Sequence, residues 1–145
     1  MRMNAAEEGV ASYTEVVRPA AFHKLVRVAW IIAIVVVIVG SLLPGNSGPI
    51  EALDSLNIND KVEHTIAYMV LAFLPAIHER RGFVVAAALG AAALGVVLEF
   101  GQLLSGWRDF EVGDMLADAL GVCIGLAIGV PLRRLEGLRA VIASE

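Results

Sequence analysis

The chain has 145 residues, a formal net charge of −4, 58% hydrophobic residues and a mean hydropathy of +0.75. This composition is too apolar for a soluble domain of that length, and apolar runs close to the ~20 residues that cross a bilayer indicate an integral membrane protein. No basic patch interleaved with aromatic residues indicates a nucleic-acid partner, and a single cysteine, Cys123, without a zinc-binding motif predicts neither a disulfide framework nor a metal or cofactor site.

Four apolar segments, each near the length that spans the hydrocarbon as an α-helix, follow one another along the chain. The first is almost pure Ile, Val and Ala and ends at Pro44, and because no cleavage pattern follows closely we expect a retained anchor rather than a signal peptide. The segments define a four-helix transmembrane domain at 21–134, between a flexible cytoplasmic tail at 1–20 and a cytoplasmic tail at 135–145. The predicted spans are 25–43, 60–77, 83–104 and 112–132.

The positions of lysine and arginine predict the orientation. Nine of the eleven lie in the amino-terminal tail, the 78–82 turn or the carboxy-terminal tail, and only Lys61 and Arg108 lie elsewhere. Since cytoplasmic segments are enriched in these residues, both termini and the 78–82 turn are predicted to be cytoplasmic, and the 44–60 and 105–111 loops extracytoplasmic. The predicted fold class is an all-α, integral membrane four-helix bundle.

Polar residues gather at the predicted extracytoplasmic end of the second, third and fourth spans. Charged groups are costly in hydrocarbon, so a set that converges at one membrane face is a candidate functional site. Asp60, His64 and Tyr68 are spaced four residues apart and therefore share one helix face. The candidate residues are Asp60, Lys61, His64, Tyr68, Glu99, Gln102, Arg108, Asp114 and Asp118.

Several of these residues also have plainer interpretations. Asp60 and Glu63 form an Asp-x-x-Glu pattern that resembles a capping box, so capping stays open beside a functional role for Asp60. Lys61 could extend to the lipid headgroups. Trp107 is interpreted as an interfacial anchor, and its neighbour Arg108 as a partner for a phosphate or a carboxylate.

Glu99 lies about five residues inside the third span, roughly 7 Å below the interface. At that depth a carboxylate should pair with a cation or take up a proton, and a structural pair with Arg108 or His64 is the alternative to a functional role. Two rows of small residues are predicted to pack against each other and to bring Glu99 towards Asp114 and Asp118. The rows are Ala87, Ala91 and Gly95 in the third span and Ala117, Gly121, Gly125 and Gly129 in the fourth.

The ordered set of polar segments, with four spans, resembles the VanZ-like family of small bacterial membrane proteins over residues 25–132. The matching segments are Asp60-Lys61-x-x-His64-x-x-x-Tyr68, Glu99-x-x-Gln102, Arg108 followed by Asp114, and Gly121 with Gly125. Asp118 departs from the family pattern, which usually has Asn there, and adds an acid. The resemblance implies a multi-pass protein of the bacterial inner membrane and the cell envelope, in a family named for a member linked to teicoplanin resistance, without implying a reaction or resistance.

Three functions are compatible with this pattern. In the first, the site binds or modifies a lipid-linked or anionic envelope precursor among membrane lipids, with Lys61 and Arg108 holding the anion. The residues expected to bind substrate are Asp60, Lys61, Tyr68, Gln102 and Arg108.

The second function is an intramembrane hydrolase or transferase, with Glu99 or Asp118 as general base and His64 as acid or metal ligand. No Ser or Cys nucleophile motif accompanies His64, and the metal variant is disfavoured because His64, Glu99 and Asp114 lack a diagnostic ligand spacing. The third is a non-catalytic scaffold whose polar cluster ties the helices together. A transporter is disfavoured because the acids do not continue across the membrane. The residues expected to be catalytic, if the protein is an enzyme, are Glu99, His64, Asp114 and Asp118.

Overall fold

The computed structural model describes residues 20–44, 46–56, 58–106 and 110–142, with the backbone alone for 20, 53–54 and 136–142. These residues form helices and connecting turns without a strand, which confirms the all-α prediction. The tail predicted at 1–20 lies, apart from Ala20, outside this part of the chain. The helices are α1 (Ala20–Leu42), α2 (Gly48–Asp54), α3 (Asp60–His78), α4 (Arg81–Ser105) and α5 (Val112–Ile142).

Three of these helices are long and apolar enough to cross a membrane, namely Ala21–Leu42, Arg81–Ser105 and Val112–Leu135. Large apolar side chains such as Ile31, Ile32 and Val35 are exposed along α1, as expected of a surface that faces acyl chains. The protein is therefore a membrane protein, as its composition predicts.

Helix α3 begins at Asp60 as predicted and ends at His78, one residue past the predicted span end. It is not one of these three helices, and its first turn carries Asp60, Lys61 and Glu63. Its buried residues recur at the spacing of one helix face, and this face packs against α1, α4 and α5. The indole Nε1 of Trp30 in α1 donates a hydrogen bond to the Leu71 carbonyl over 2.9 Å. The core residues are Tyr68, Leu71, Ala72, Ala88, Ala91 and Val122.

Two parts of the helical structure were not predicted. Helix α2 lies in the predicted 44–60 loop, where Pro49 fits the first turn because it lacks an amide hydrogen that would need a partner. Helix α5 continues past the predicted span end at Leu132 to Ile142, through Pro131. Hydropathy marks where a span leaves the hydrocarbon, and residues 133–142 consist largely of good helix formers that extend the helix beyond that point.

The glycine row of α5 packs against α3, so the predicted contact between this row and the small-residue row of α4 is wrong. A Cβ atom at Gly121 would meet the backbone of Thr65 and Met69, and one at Gly125 would meet the Met69 carbonyl oxygen. Gly129 similarly faces Ala76. Because glycine exposes bare backbone, α3 and α5 approach closely over three turns, and this brings the polar first turns of both helices side by side.

Candidate functional site at the joined ends of α3, α4 and α5

The structure brings most of the predicted site residues to one end of the bundle. Helix α3 contributes Asp60, Lys61 and His64, α4 contributes Glu99 and Gln102, and α5 contributes Asp114 and Asp118. Arg108 and Trp107 lie outside the described residues, so their roles stay predictions. Contacts among the remaining side chains, together with Glu111 just before α5, define what we call the polar cluster.

His64 lies at the centre of the polar cluster and contacts two acids of α5. Its Nδ1 atom is 2.8 Å from Oδ1 of Asp118, and its Nε2 atom is 4.0 Å from Oδ2 of Asp114. Asp118 is 3% exposed and Asp114 5% exposed. The imidazole is thus held by a buried carboxylate on one side while its other nitrogen faces a second carboxylate.

Asp118 reaches this position because α4 provides a glycine opposite to it. A Cβ atom at Gly95 would meet the Asp118 carboxylate. Tyr68, which is buried one turn below His64 on the same face of α3, lies beside Asp118 as well. Gly95 therefore leaves room for the Asp118 side chain. The sequence had predicted only a helix-packing role for this glycine.

Lys61 is paired with two acids. Its Nζ atom is 2.6 Å from Oε2 of Glu111 and 3.3 Å from Oδ1 of Asp114, and its stem lies over Gly113. The hydrogen bond from Lys61 holds the pKa of Glu111 below its ordinary value of 4.5. Glu111 was missed in the sequence because an acid in a loop gives no periodic signal, although its place immediately before α5 is where a carboxylate meets the helix N-terminus.

Glu99 is 2% exposed and accepts a hydrogen bond from the backbone amide of Glu111 at its Oε1 atom. Among the described residues, the bonded partner of Glu99 is thus a backbone amide and not His64. The alternative pair with Arg108 lies outside the described residues and stays a prediction. Gln102 is equally buried, and its Nε2 atom donates to the Ser41 carbonyl of α1 over 3.1 Å. This bond occupies one donor of the amide and joins the ends of α1 and α4.

The capping-box interpretation of Asp60 is wrong. Asn59 is the N-cap of α3, with extended backbone angles and a side-chain oxygen that accepts from the Lys61 amide over 3.0 Å. Asn and Asp are both strong N-cap residues, so the sequence Asn59-Asp60 alone does not show which of the two caps the helix. Asp60 becomes the first residue of the helix, and its carboxylate, one atom of His64 and one of Asp114 lie within 4.8 Å of one another.

A cavity of about 350 Å³ opens beside the polar cluster, between α1, α2 and α3. Its walls are mostly apolar, and one side is polar, where Asp60, Glu63, His64 and Tyr68 reach it. His64 therefore belongs both to the polar cluster and to the cavity wall. The apolar wall residues are Val36, Val37, Gly40, Ile50, Ile58, Ile66 and Ala67.

A second group of charges joins the helices at the opposite end of the bundle. Arg27 of α1 hydrogen-bonds the Glu79 carboxylate, and Arg133 of α5 donates to the Glu79 carbonyl. Burial alone would raise the pKa of Glu79, but the hydrogen bond and charge of Arg27 outweigh it and hold the pKa below its ordinary value. These contacts are peripheral and link α1, the α3–α4 turn and α5.

Models of known protein families, curated proteins and solved structures were compared with the chain, and none of them matches it. The resemblance to the VanZ-like family therefore stays a prediction.

Proposed function

We propose that the protein is a VanZ-like, four-span protein of the bacterial inner membrane, with both termini in the cytoplasm and the polar cluster at the outer face. Helix α3 is the fourth span: its 19 residues extend about 28 Å, close to the thickness of the hydrocarbon. In its first turn, Lys61 pairs with Asp114 of α5, and such pairing lowers the cost of a charge close to lipid. Among the residues with described side chains, six lysines and arginines lie towards the other end of the bundle, where Glu79 is, and Lys61 lies at the polar cluster, which supports the orientation. The six are Lys24, Arg27, Arg80, Arg81, Arg133 and Arg134.

The orientation is tested with single cysteines in a Cys123→Ser background. Glu51 in α2 and Gly82 in α4 are both exposed, and a Cβ atom at Gly82 meets nothing within 4 Å. In intact spheroplasts a membrane-impermeant maleimide should label Glu51→Cys, and Gly82→Cys only after lysis. Labelling in the reverse order would contradict the proposed orientation.

At the outer face, the protein binds an amphipathic, lipid-linked envelope precursor. The observation that carries this proposal is the cavity with apolar walls and one polar side. An acyl or polyprenyl chain would pack on Val36, Val37 and Ile66, while the polar end of the ligand would meet His64 and Asp60. Pockets with mostly apolar walls and a few convergent polar groups are typical of small-molecule sites.

The charges of the polar cluster limit which polar groups this ligand can carry. Lys61 is already paired with Glu111 and Asp114, and in the described part of the cluster acids outnumber cations. Hydroxyl, amide or amine groups therefore complement these acids directly. A phosphate would need Arg108, a displaced Lys61 or a bound cation as its partner.

The test fills the cavity without disturbing the cluster. A side chain at Gly40 extends from the cavity wall into open space, and Gly90 on α4 is an equally open position that does not line the cavity. Native mass spectrometry with added polyprenyl phosphate should show a bound lipid on the wild type and on Gly90→Phe, and strongly reduced binding to Gly40→Phe. Equal lipid occupancy in all three proteins would overturn the proposal.

A structural role is the second candidate, favoured by the contacts that join helices through His64, Glu99 and Gln102. It predicts that His64→Ala and Glu99→Gln lower thermal stability and reduce lipid binding only in proportion. A variant that keeps the wild-type melting temperature but no longer binds lipid would exclude a purely structural cluster.

A further inference from the structure

We propose that Asp60, His64 and Asp114 form a binding site for one divalent transition-metal ion at the mouth of the cavity. The site stands apart from the lipid proposal, because it rests on ligand geometry at the helix ends and not on the cavity walls. Two of its residues come from the first two turns of α3 and the third from the first turn of α5, so no sequence motif reveals it.

The three side chains lie close enough together to bind one ion after small side-chain rotations. One ligand atom from each residue lies within 4.8 Å of the other two. Ligand bonds of about 2.0–2.2 Å place two ligands of a shared ion roughly 3–4.4 Å apart, depending on the angle between them. The 4.0 Å between Nε2 of His64 and Oδ2 of Asp114 is too long for a hydrogen bond and falls within this range.

An independent observation is how His64 is oriented. A histidine that binds a metal through one ring nitrogen commonly donates the hydrogen of its other nitrogen to a carboxylate, which fixes the tautomer and strengthens the ligand. The Nδ1 atom of His64 makes this contact with Asp118, which is buried behind the ring and is not one of the three ligands. When Nδ1 donates its hydrogen to Asp118, the Nε2 lone pair faces Asp114.

The surrounding charge also favours a cation. Asp114 is almost fully buried, yet its bonded cation, Lys61, contacts only Oδ1, which leaves Oδ2 turned towards His64. Lys61 and a metal ion would therefore engage different oxygens of one carboxylate. Glu111 holds Lys61 in place from the other side and adds to the negative potential.

The ligand set selects the kind of ion. One imidazole with two carboxylates suits Zn²⁺ or Mn²⁺ better than it suits Mg²⁺ or Ca²⁺, which prefer oxygen ligands alone. Three protein ligands leave at least one coordination position for a water molecule or an anionic group.

The experiment titrates Zn²⁺ and Mn²⁺ into chelator-stripped, full-length protein in detergent by calorimetry, with Mg²⁺ as the comparison ion. We expect saturable binding of one ion per chain to the wild type and to His23→Ala, which removes an imidazole at the opposite end of the bundle. His64→Ala and Asp114→Asn should abolish saturable binding. Asp118→Asn should weaken it by about 10- to 100-fold at unchanged stoichiometry.

Asp60→Asn keeps the test decisive if the buried variants fail to fold, because Asp60 is exposed. Bound Co²⁺ should give a visible spectrum with the wild type that is lost in Asp60→Asn. The proposal is overturned if neither ion binds the wild type stoichiometrically, or if Asp60→Asn binds metal as the wild type does. Loss of metal binding with lipid binding intact would separate this site from the lipid proposal.

Discussion

The carboxylate of Asp118 and the imidazole of His64 lie 2.8 Å apart, on two helices whose backbones approach closely through glycine. The contact depends on α5 lying against α3 at Gly121 and on the space that Gly95 of α4 leaves for the Asp118 side chain. The geometry of the polar cluster is thus set by residues that carry no polar side chain, and it can be tested through them.

We expect Gly95→Ala to displace Asp118 and to destabilise the protein by about 1–3 kcal/mol, the usual cost of overpacking. The added methyl group would meet the Asp118 carboxylate, which can yield only by leaving His64. Thermal unfolding in detergent measures the effect. Gly90→Ala, at an open position of the same helix, is the control and should melt at or above the wild-type temperature, because alanine favours a helix more than glycine does. An equal loss in both variants would refute the steric argument.

Gly121→Ala should be more damaging than Gly95→Ala. Its methyl group would meet the backbone of Thr65 and Met69, which cannot move aside as a side chain can. We expect α3 and α5 to separate and the melting temperature to fall further than in Gly95→Ala. Gly40→Ala, where nothing lies within 4 Å, is the matched control. A smaller loss at Gly121 than at Gly95 would contradict the close approach of the two helices.

The Lys61–Glu111 pair should make stability depend on pH in the acid range. Because the folded state holds the pKa of Glu111 below 4.5, the pair stabilises the fold above that value and loses its contribution as pH falls through the lowered pKa. Melting temperatures of the wild type and Glu111→Gln should differ at pH 7 and converge as the pH is lowered through the reduced pKa of Glu111. Glu51→Gln in α2 is the control, and a difference that stays unchanged throughout the acid range would contradict the pair.

Gln102→Leu should lower stability without removing the polar cluster. The substitution leaves the half-buried Ser41 carbonyl without its Gln102 donor, and such a loss costs about 1–3 kcal/mol where the group is fully buried and less here. Thermal unfolding should show this loss, while lipid binding per folded molecule stays at the wild-type level. If lipid binding falls at unchanged stability, Gln102 contacts the ligand, as the sequence analysis expected, and the structural explanation is wrong.

The sequence predicted the long helices because hydropathy and helical spacing act over many residues. The bounds of α3 and the grouping of His64 with Asp118 follow from these two signals and from antiparallel spans. The partner of the Gly121 row could not be predicted in this way, since a small residue suits any helix that approaches it. Glu111 and the cavity depend on tertiary contacts, which leave no periodic pattern.

Glu111 also connects three helices at a single point. Its amide donates to Glu99 of α4, its carboxylate accepts from Lys61 of α3, and it immediately precedes α5. A shift of this one residue would release both bonds at once, leaving Glu99 without its amide donor and Lys61 with the Asp114 carboxylate alone as its partner. A molecule that bound Glu111 from outside the bundle would therefore weaken the hydrogen bonds of Glu99 and Lys61 together.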